Sequence, residues 1–137
     1  MANAEGTEAV LDASAVVELL LGTETGRAVA ELMHARRVHA PAHIDAEVLS
    51  ALGRLHRAGA VDAEAVSSAL AVLAEAPLER HPLPDLLTGA WAARERHRLA
   101  DALYVELACA LGSLTLLTAD ARLAASCELA ELPGAPR

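Results

Sequence analysis

The chain has 137 residues with 11 basic and 19 acidic side chains, a formal charge of -8, and no Lys, so every one of its fixed cations is Arg. The missing Lys excludes P-loop NTPases and Schiff-base enzymes, and the negative balance argues against a general nucleic-acid coat while leaving room for a local Arg patch. At 54% hydrophobic with one Trp, one Tyr and no Phe, the core must be aliphatic.

The predicted elements run as follows. Residues 7–11 read as a strand and 15–21 as a helix ended by Gly22. Residues 23–36 form a second helix, with Val29, Leu32 and Met33 at helical spacing. A short strand over 38–40 is stopped by Pro41. A helix over 42–57 follows, placing Ile44, Val48, Leu52 and Leu55 on one face and ending at Gly59. Asp62 is the expected N-cap of a helix reaching Ala74, 79–83 an edge strand, and 84–96 another helix. Asp101 opens an Ala/Leu-rich helix that stops at Gly112. Residues 113–117 form a strand, Asp120 starts a short helix, and 128–132 form a last strand.

This alternation predicts one α/β domain over residues 1–137, with a mainly parallel sheet of four to five strands covered by helices. No apolar stretch reaches the ~18 residues of a membrane span, and the N-terminus lacks the basic start and apolar run of a signal peptide. A cytoplasmic protein is expected, with Cys109 and Cys127 reduced and buried.

Four carboxylates stand where apolar segments begin or end: Asp12, Glu47, Asp101 and Asp120. Ligands of open parallel sheets bind beyond the carboxyl ends of the strands, where the strand order reverses. If the first strand and the 113–117 strand meet there, Asp12 and Asp120 share a crevice, Asp101 enters it from a helix start, and Glu47 reaches in from a helical turn. Like charges about 6 Å apart at an effective dielectric near 20 repel by roughly 3 kcal/mol per pair. Such a cluster therefore points to a hard divalent cation, which takes oxygen ligands.

DASAVVELLL, PAHIDAEVLSAL, ADALYVELACALG and LLTADARLA, in this order and spacing, resemble the PIN-domain ribonucleases, and specifically the toxin subunits of VapBC toxin–antitoxin pairs. The resemblance spans nearly the whole chain. It implies a three-layer α/β/α fold and Mg²⁺- or Mn²⁺-dependent hydrolysis of RNA phosphodiesters by water activated at the ion. Asp12, Glu47, Asp101 and Asp120 map onto the family's catalytic, metal-binding quartet, with Asp12 and Asp101 as the most direct ligands, and Ser14 and Thr118 onto supporting polar positions. Ser50 stands where the family often has Asn, and Ala100 where Tyr is common before the third acid. The implied partners are RNA, a VapB-like antitoxin and a second copy of the chain in a homodimer; no membrane partner is expected.

Simpler readings stand beside these. Asp12, Asp101 and Asp120 are each candidates for helix N-caps, which does not account for Glu47 inside a helix. Asp45 and Glu106 are expected at the solvated surface, and Trp91 in the core or a subunit interface. Arg94, Arg96 and Arg98 form the densest basic run and are the candidate RNA-binding residues, although a charge run at a helix end is commonly a solvated face. Arg36, Arg37, Arg54 and Arg57 carry less weight. His34, His39 and His43 do not show zinc-ligand spacing. A receiver-like phospho-acceptor domain also clusters acids at strand ends but needs a Lys that this chain lacks; a housekeeping PIN-fold RNA-processing nuclease and an inactive PIN fold serving only as a scaffold or binding module are the remaining alternatives.

Overall fold

A computed structural model describes residues 7–134. Five strands, β1 (Glu8–Leu11), β2 (Arg37–Pro41), β3 (Leu78–His81), β4 (Thr115–Leu117) and β5 (Ala130–Glu131), form one sheet in the order β3-β2-β1-β4-β5. Every pairing is parallel. Central strands of such a sheet are covered on both faces and read as unbroken apolar runs rather than alternating ones. Ala9, Val10 and Leu11 in β1, with Leu116 and Leu117 in β4, fit this: none is more than 1% exposed.

Seven α-helices connect the strands among the described residues. Between β1 and β3 the chain steps twice in one direction through α1 (Ala13–Leu21), α2 (Glu24–Ala35), α3 (Ile44–Arg57) and α4 (Ala63–Glu75), which pack on one another. It then crosses back through α5 (Leu87–Ala92) and α6 (Leu99–Ala110), the latter lying against β1, β2 and β4, and ends with α7 (Ala121–Ser126) beside β5. Right-handed crossovers place these two helix sets on opposite faces, giving three layers. The direction reverses between β1 and β4, and that gap is the switch point.

Local chemistry explains the helix ends. Asp12, Thr23, Asp62 and Asp120 accept backbone N–H bonds from Ala15, Gly26, Ala65, and Arg122 with Leu123, as N-caps do. Gly22 takes the left-handed conformation, φ 67°, and the Gly22 and Thr23 amides bond back to Leu19 and Glu18 to close α1. The chain then turns so tightly that Gly26 of α2 lies on the backbone of α1.

Several boundaries differ from the sequence reading. Strand β3 starts one residue early and stops at His81, because Pro82 offers no N–H to continue the ladder. Pro41 ends β2 from inside, and the bond from the Ala42 amide to the His81 carbonyl, 2.7 Å, takes over the pairing. The helix expected over 84–96 is a 3₁₀ turn (Pro84–Leu86) followed by α5, which stops at Ala92: beyond the buried Ala93, Arg94 to Arg96 are exposed and offer no apolar face. Asp101 lies in the first turn of α6 rather than at its cap, which is Arg98. Trp91 is not core but 59% exposed, with the Arg94 guanidinium 4.6 Å over its ring. Cys109 is exposed, since α6 buries Tyr104, Leu107 and Ala108 and turns Cys109 outward; Cys127 is half-buried. Asp45 is not simply solvated: Arg80 of β3 grips both its oxygens at 2.8 and 3.0 Å and also bonds the Leu73 carbonyl.

Two glycine substitutions test this packing with opposite signs. A methyl at Gly26 would collide with the Glu18 carbonyl and Leu19 Cα of α1, so Gly26→Ala is expected to destabilise the fold by at least about 1–3 kcal/mol in a denaturant melt. At Gly53, inside α3, the nearest atom to such a methyl is the Arg57 guanidinium at 3.9 Å. Gly53→Ala is therefore expected to stabilise by roughly 0.5–1 kcal/mol. Equal effects at the two positions would contradict the close α1–α2 approach.

Candidate active site

Strands β1 and β4 run side by side with Leu11 opposite Leu117, and the residues that follow each strand meet at the switch point. The Asp12 amide bonds the Leu117 carbonyl at 3.1 Å, and the Asp12 side chain is held from three directions. Its Oδ1 accepts from the Ser14 hydroxyl at 2.7 Å and the Ala15 amide at 3.0 Å, and its Oδ2 from the Thr118 hydroxyl at 2.5 Å. Ser14 and Thr118 in turn accept from the amides of Ala119, at 2.9 Å, and Asp120, at 3.0 Å. With both hydroxyl protons turned to Asp12, these two residues lock the loop after β4 against the start of α1.

Asp12 is 5% exposed. Burial raises its carboxyl above the ordinary carboxylate range; its three hydrogen bonds pull the other way, and the nearby Asp101 charge adds to the rise. In the folded, cation-free protein the ionised form of Asp12 is thus disfavoured.

Glu47 projects from the first turn of α3. Its Oε1 accepts from the Tyr104 hydroxyl of α6 at 2.6 Å and lies 3.3 Å from His43 Nε2. Burial and the Glu47 hydrogen bond push the Tyr104 hydroxyl far above its usual range, so it stays protonated and donates its proton to Glu47. His43 packs its ring 4.8 Å from that of Tyr104 and also reaches the Ala100 carbonyl at 3.2 Å through Nε2; its Nδ1 is buried without a partner.

Asp101 and Asp120 are bridged by one cation. Arg122 Nη2 donates to Asp101 Oδ2 at 2.9 Å and to Asp120 Oδ2 at 3.2 Å. Asp120 also caps α7, so the capping reading holds for Asp12 and Asp120 without separating them from the site.

All four carboxylates line one open cavity of about 710 Å³, together with Ser14, Tyr104 and Arg54. Glu18 lines it as well. Thr118 sits behind Asp12, fully buried. Arg94, Arg96 and Arg98 are not among the lining residues. The sequence reading did not find Arg122, Tyr104 or Glu18, and it gave Arg54 little weight. Arg54 follows Glu47 by seven residues, two helical turns, and that spacing on one face of α3 was the available signal.

The donor set suits a hard divalent cation. Four carboxylates supply only oxygen, Asp12 is destabilised as an anion until positive charge arrives, and Arg122 already sits between two of the acids as a cation would.

The PIN domain family profile matches residues 9–129. Ribonuclease VapC3 of Mycobacterium tuberculosis is 53% identical over 118 residues, covering 85% of each chain. Among solved structures, PAE2754 from Pyrobaculum aerophilum superposes with a TM-score of 0.69 at 26% identity, over 91% of this chain and 83% of that one. A toxin-antitoxin complex from Klebsiella pneumoniae shares the fold, with a TM-score of 0.64 at 17% identity over 91% of this chain and 97% of that one. The sequence match over most of the chain and the shared parallel fold place this protein in the PIN-domain family, with the VapC-type toxin ribonucleases.

Proposed function

We propose that this protein is the toxin of a toxin–antitoxin pair, an endoribonuclease dependent on Mg²⁺ or Mn²⁺ whose reaction occurs in the acidic cavity. The observation that carries the reading is the convergence of Asp12, Glu47, Asp101 and Asp120 on one cavity at the switch point of a parallel sheet. Kinship with VapC3, named as a ribonuclease, supports the substrate class.

Asp12 and Asp101 are the residues that would hold the ion most directly, with Glu47 and Asp120 holding a second ion or its waters. When bound, the ion neutralises the attacked phosphate and makes water a better nucleophile near neutral pH. The protein's own groups do the rest. Ser14, Thr118 and the Ala15 amide fix the Asp12 carboxylate, while Tyr104 and His43 aim Glu47. Arg54 and Arg122 are the cations at the cavity and would hold the RNA backbone phosphates, with Arg94, Arg96 and Arg98 extending that surface. The remaining partners in this reading are a second copy of the chain and a VapB-like antitoxin, and for the antitoxin the Klebsiella toxin-antitoxin complex supplies a precedent in fold alone. Among the described residues no helix is long and apolar enough to cross a membrane, and the reading places the enzyme in the cytoplasm.

The direct test is cleavage of a structured RNA pool by purified protein in Mg²⁺, Mn²⁺ or EDTA. Cutting should require the ion and fall at least about 100-fold in Asp101→Asn. A folded wild type that cuts equally well in EDTA contradicts the reading.

Two subtler outcomes follow from the same geometry. Because the folded Asp12 pKa lies above its unfolded value, the native state holds a proton that the unfolded chain has lost. The metal-free protein must therefore lose stability as pH rises from the ordinary carboxylate range through that raised value. Asp12→Asn should abolish this loss, melt higher than wild type at neutral pH without metal, and lose that advantage as Mg²⁺ is added; a lower melting temperature would show that hydrogen bonds outweigh desolvation. Tyr104→Phe removes the hydroxyl that donates to Glu47, leaving only His43 beside it, and should weaken the apparent Mg²⁺ affinity by about 10- to 100-fold, the usual effect of removing a partner that orients a ligand. An unchanged Mg²⁺ dependence of cleavage would remove Tyr104 from the account.

A further inference from the structure

A second group of ligand-type side chains lies on the β1–β2–β3 side of the sheet, and none of its members lines the acidic cavity. His39 stands in the middle of β2, opposite Glu79 of β3 and one strand from β1. The two-residue period of a strand puts His81 on the same face as Glu79, and Glu8 beside them from β1. His39 is 4% exposed, and both its ring nitrogens are engaged. Nδ1 lies 3.0 Å from His81 Nε2 and 3.3 Å from Glu79 Oε2, while Nε2 lies 2.9 Å from Glu8 Oε1.

These contacts assign a tautomer. The Glu8 carboxylate accepts the hydrogen bond from His39 Nε2–H, and with Nε2 as the donor Nδ1 faces His81 as an acceptor, 3.3 Å from Glu79. A carboxylate holding the far nitrogen of a buried imidazole is the arrangement that orients metal-binding histidines. The donor atoms of His39, His81 and Glu79 all fall within 4.8 Å of one another. Four ligands at the ~2.0–2.1 Å of zinc–nitrogen and zinc–carboxylate bonds stand about 3.3 Å apart at the corners of a tetrahedron, so the separations of 3.0 and 3.3 Å need little adjustment. Glu79 is 51% exposed and free to rotate, although its Oε2 now accepts from Arg37 at 3.1 Å.

We propose that His39 Nδ1, His81 Nε2 and Glu79 form a site for a borderline transition-metal dication, Zn²⁺ foremost, with Glu8 orienting His39 and water completing the coordination. Two imidazoles and one carboxylate favour such an ion over Mg²⁺, which prefers six oxygen ligands. Binding displaces the proton shared between the two facing imidazole nitrogens and releases it to solvent. The ion would tie β2 to β3 through both ligating strands and to β1 through Glu8, making the outer half of the sheet a metal-fastened unit separate from the nuclease centre.

The test is titration of tag-free, chelator-stripped protein with Co²⁺ as spectroscopic probe and with Zn²⁺ in competition against a chelating dye. The backgrounds are wild type, an Asp12→Asn/Asp101→Asn double variant that disables the acidic cavity, His81→Ala, Glu79→Gln and Glu8→Gln, each checked for native circular dichroism. One Co²⁺ per chain should bind in the double variant with the intense visible bands of a four- or five-coordinate nitrogen site and no thiolate charge-transfer band. Zn²⁺ affinity should fall at least about 100-fold in His81→Ala and by about 10- to 100-fold in Glu8→Gln. Glu79→Gln, a change at an exposed side chain that leaves the fold intact, should weaken binding similarly. RNA cutting in Mg²⁺ should persist in His81→Ala. The site is overturned if the double variant binds no Co²⁺, if thiolate bands appear, or if His81→Ala and Glu79→Gln bind Zn²⁺ as tightly as wild type; the histidines would then share a proton only.

Discussion

Like charge gathered at one place in a low-polarity frame is the constraint on which this molecule depends. Asp12 is almost removed from water at the end of the central strand, within the field of Asp101, and burial pushes its carboxyl toward the neutral form. Domain stabilities are only about 5–15 kcal/mol, so a fold that keeps such repulsion needs compensation. Part of it is local: two hydroxyls and one amide on Asp12, one phenol on Glu47, one guanidinium shared by Asp101 and Asp120. The remainder is the place a divalent cation would take, and that connects the energetics of the fold with its chemistry.

The topology makes this convergence possible. A parallel sheet whose strand order reverses between β1 and β4 leaves a crevice that no crossover helix covers. Residues immediately after β1 and β4 reach it by default, and helices α3 and α6 deliver Glu47 and Asp101 from opposite layers. Ser14 and Thr118 then fasten the start of α1 to the loop after β4, two segments remote in sequence. Their importance is therefore mechanical before it is chemical, since losing either would free Asp12 to turn away from its partners.

Much of this was legible in the sequence because it depends on local rules. The runs AVL and TLL announced buried parallel strands, Gly22 and Gly112 marked helix ends, and Asp62 declared its own cap. Capping and catalysis were indistinguishable from sequence at Asp12 and Asp120, and the structure shows why: one carboxylate caps its helix while lining the cavity. Contacts set by register were not legible. The Asp45–Arg80 pair and the His39–His81 pair join residues on α3 or β2 to β3, and which residues of β2 and β3 stand opposite one another is set by a pairing register that a reading of strand limits alone does not supply. Nothing local marks Arg122, because its acidic partners arrive from α6 and from its own helix cap.

Anomalous diffraction from crystals grown with Mn²⁺ would decide whether the four-carboxylate cavity holds a cation. An anomalous peak is expected within ligand distance of the Asp12 and Asp101 carboxylates, with the Arg122 guanidinium withdrawn from its bridging position. Crystals saturated with Mn²⁺ that show no peak in the cavity, with Arg122 still joining Asp101 to Asp120, would contradict a cation site there.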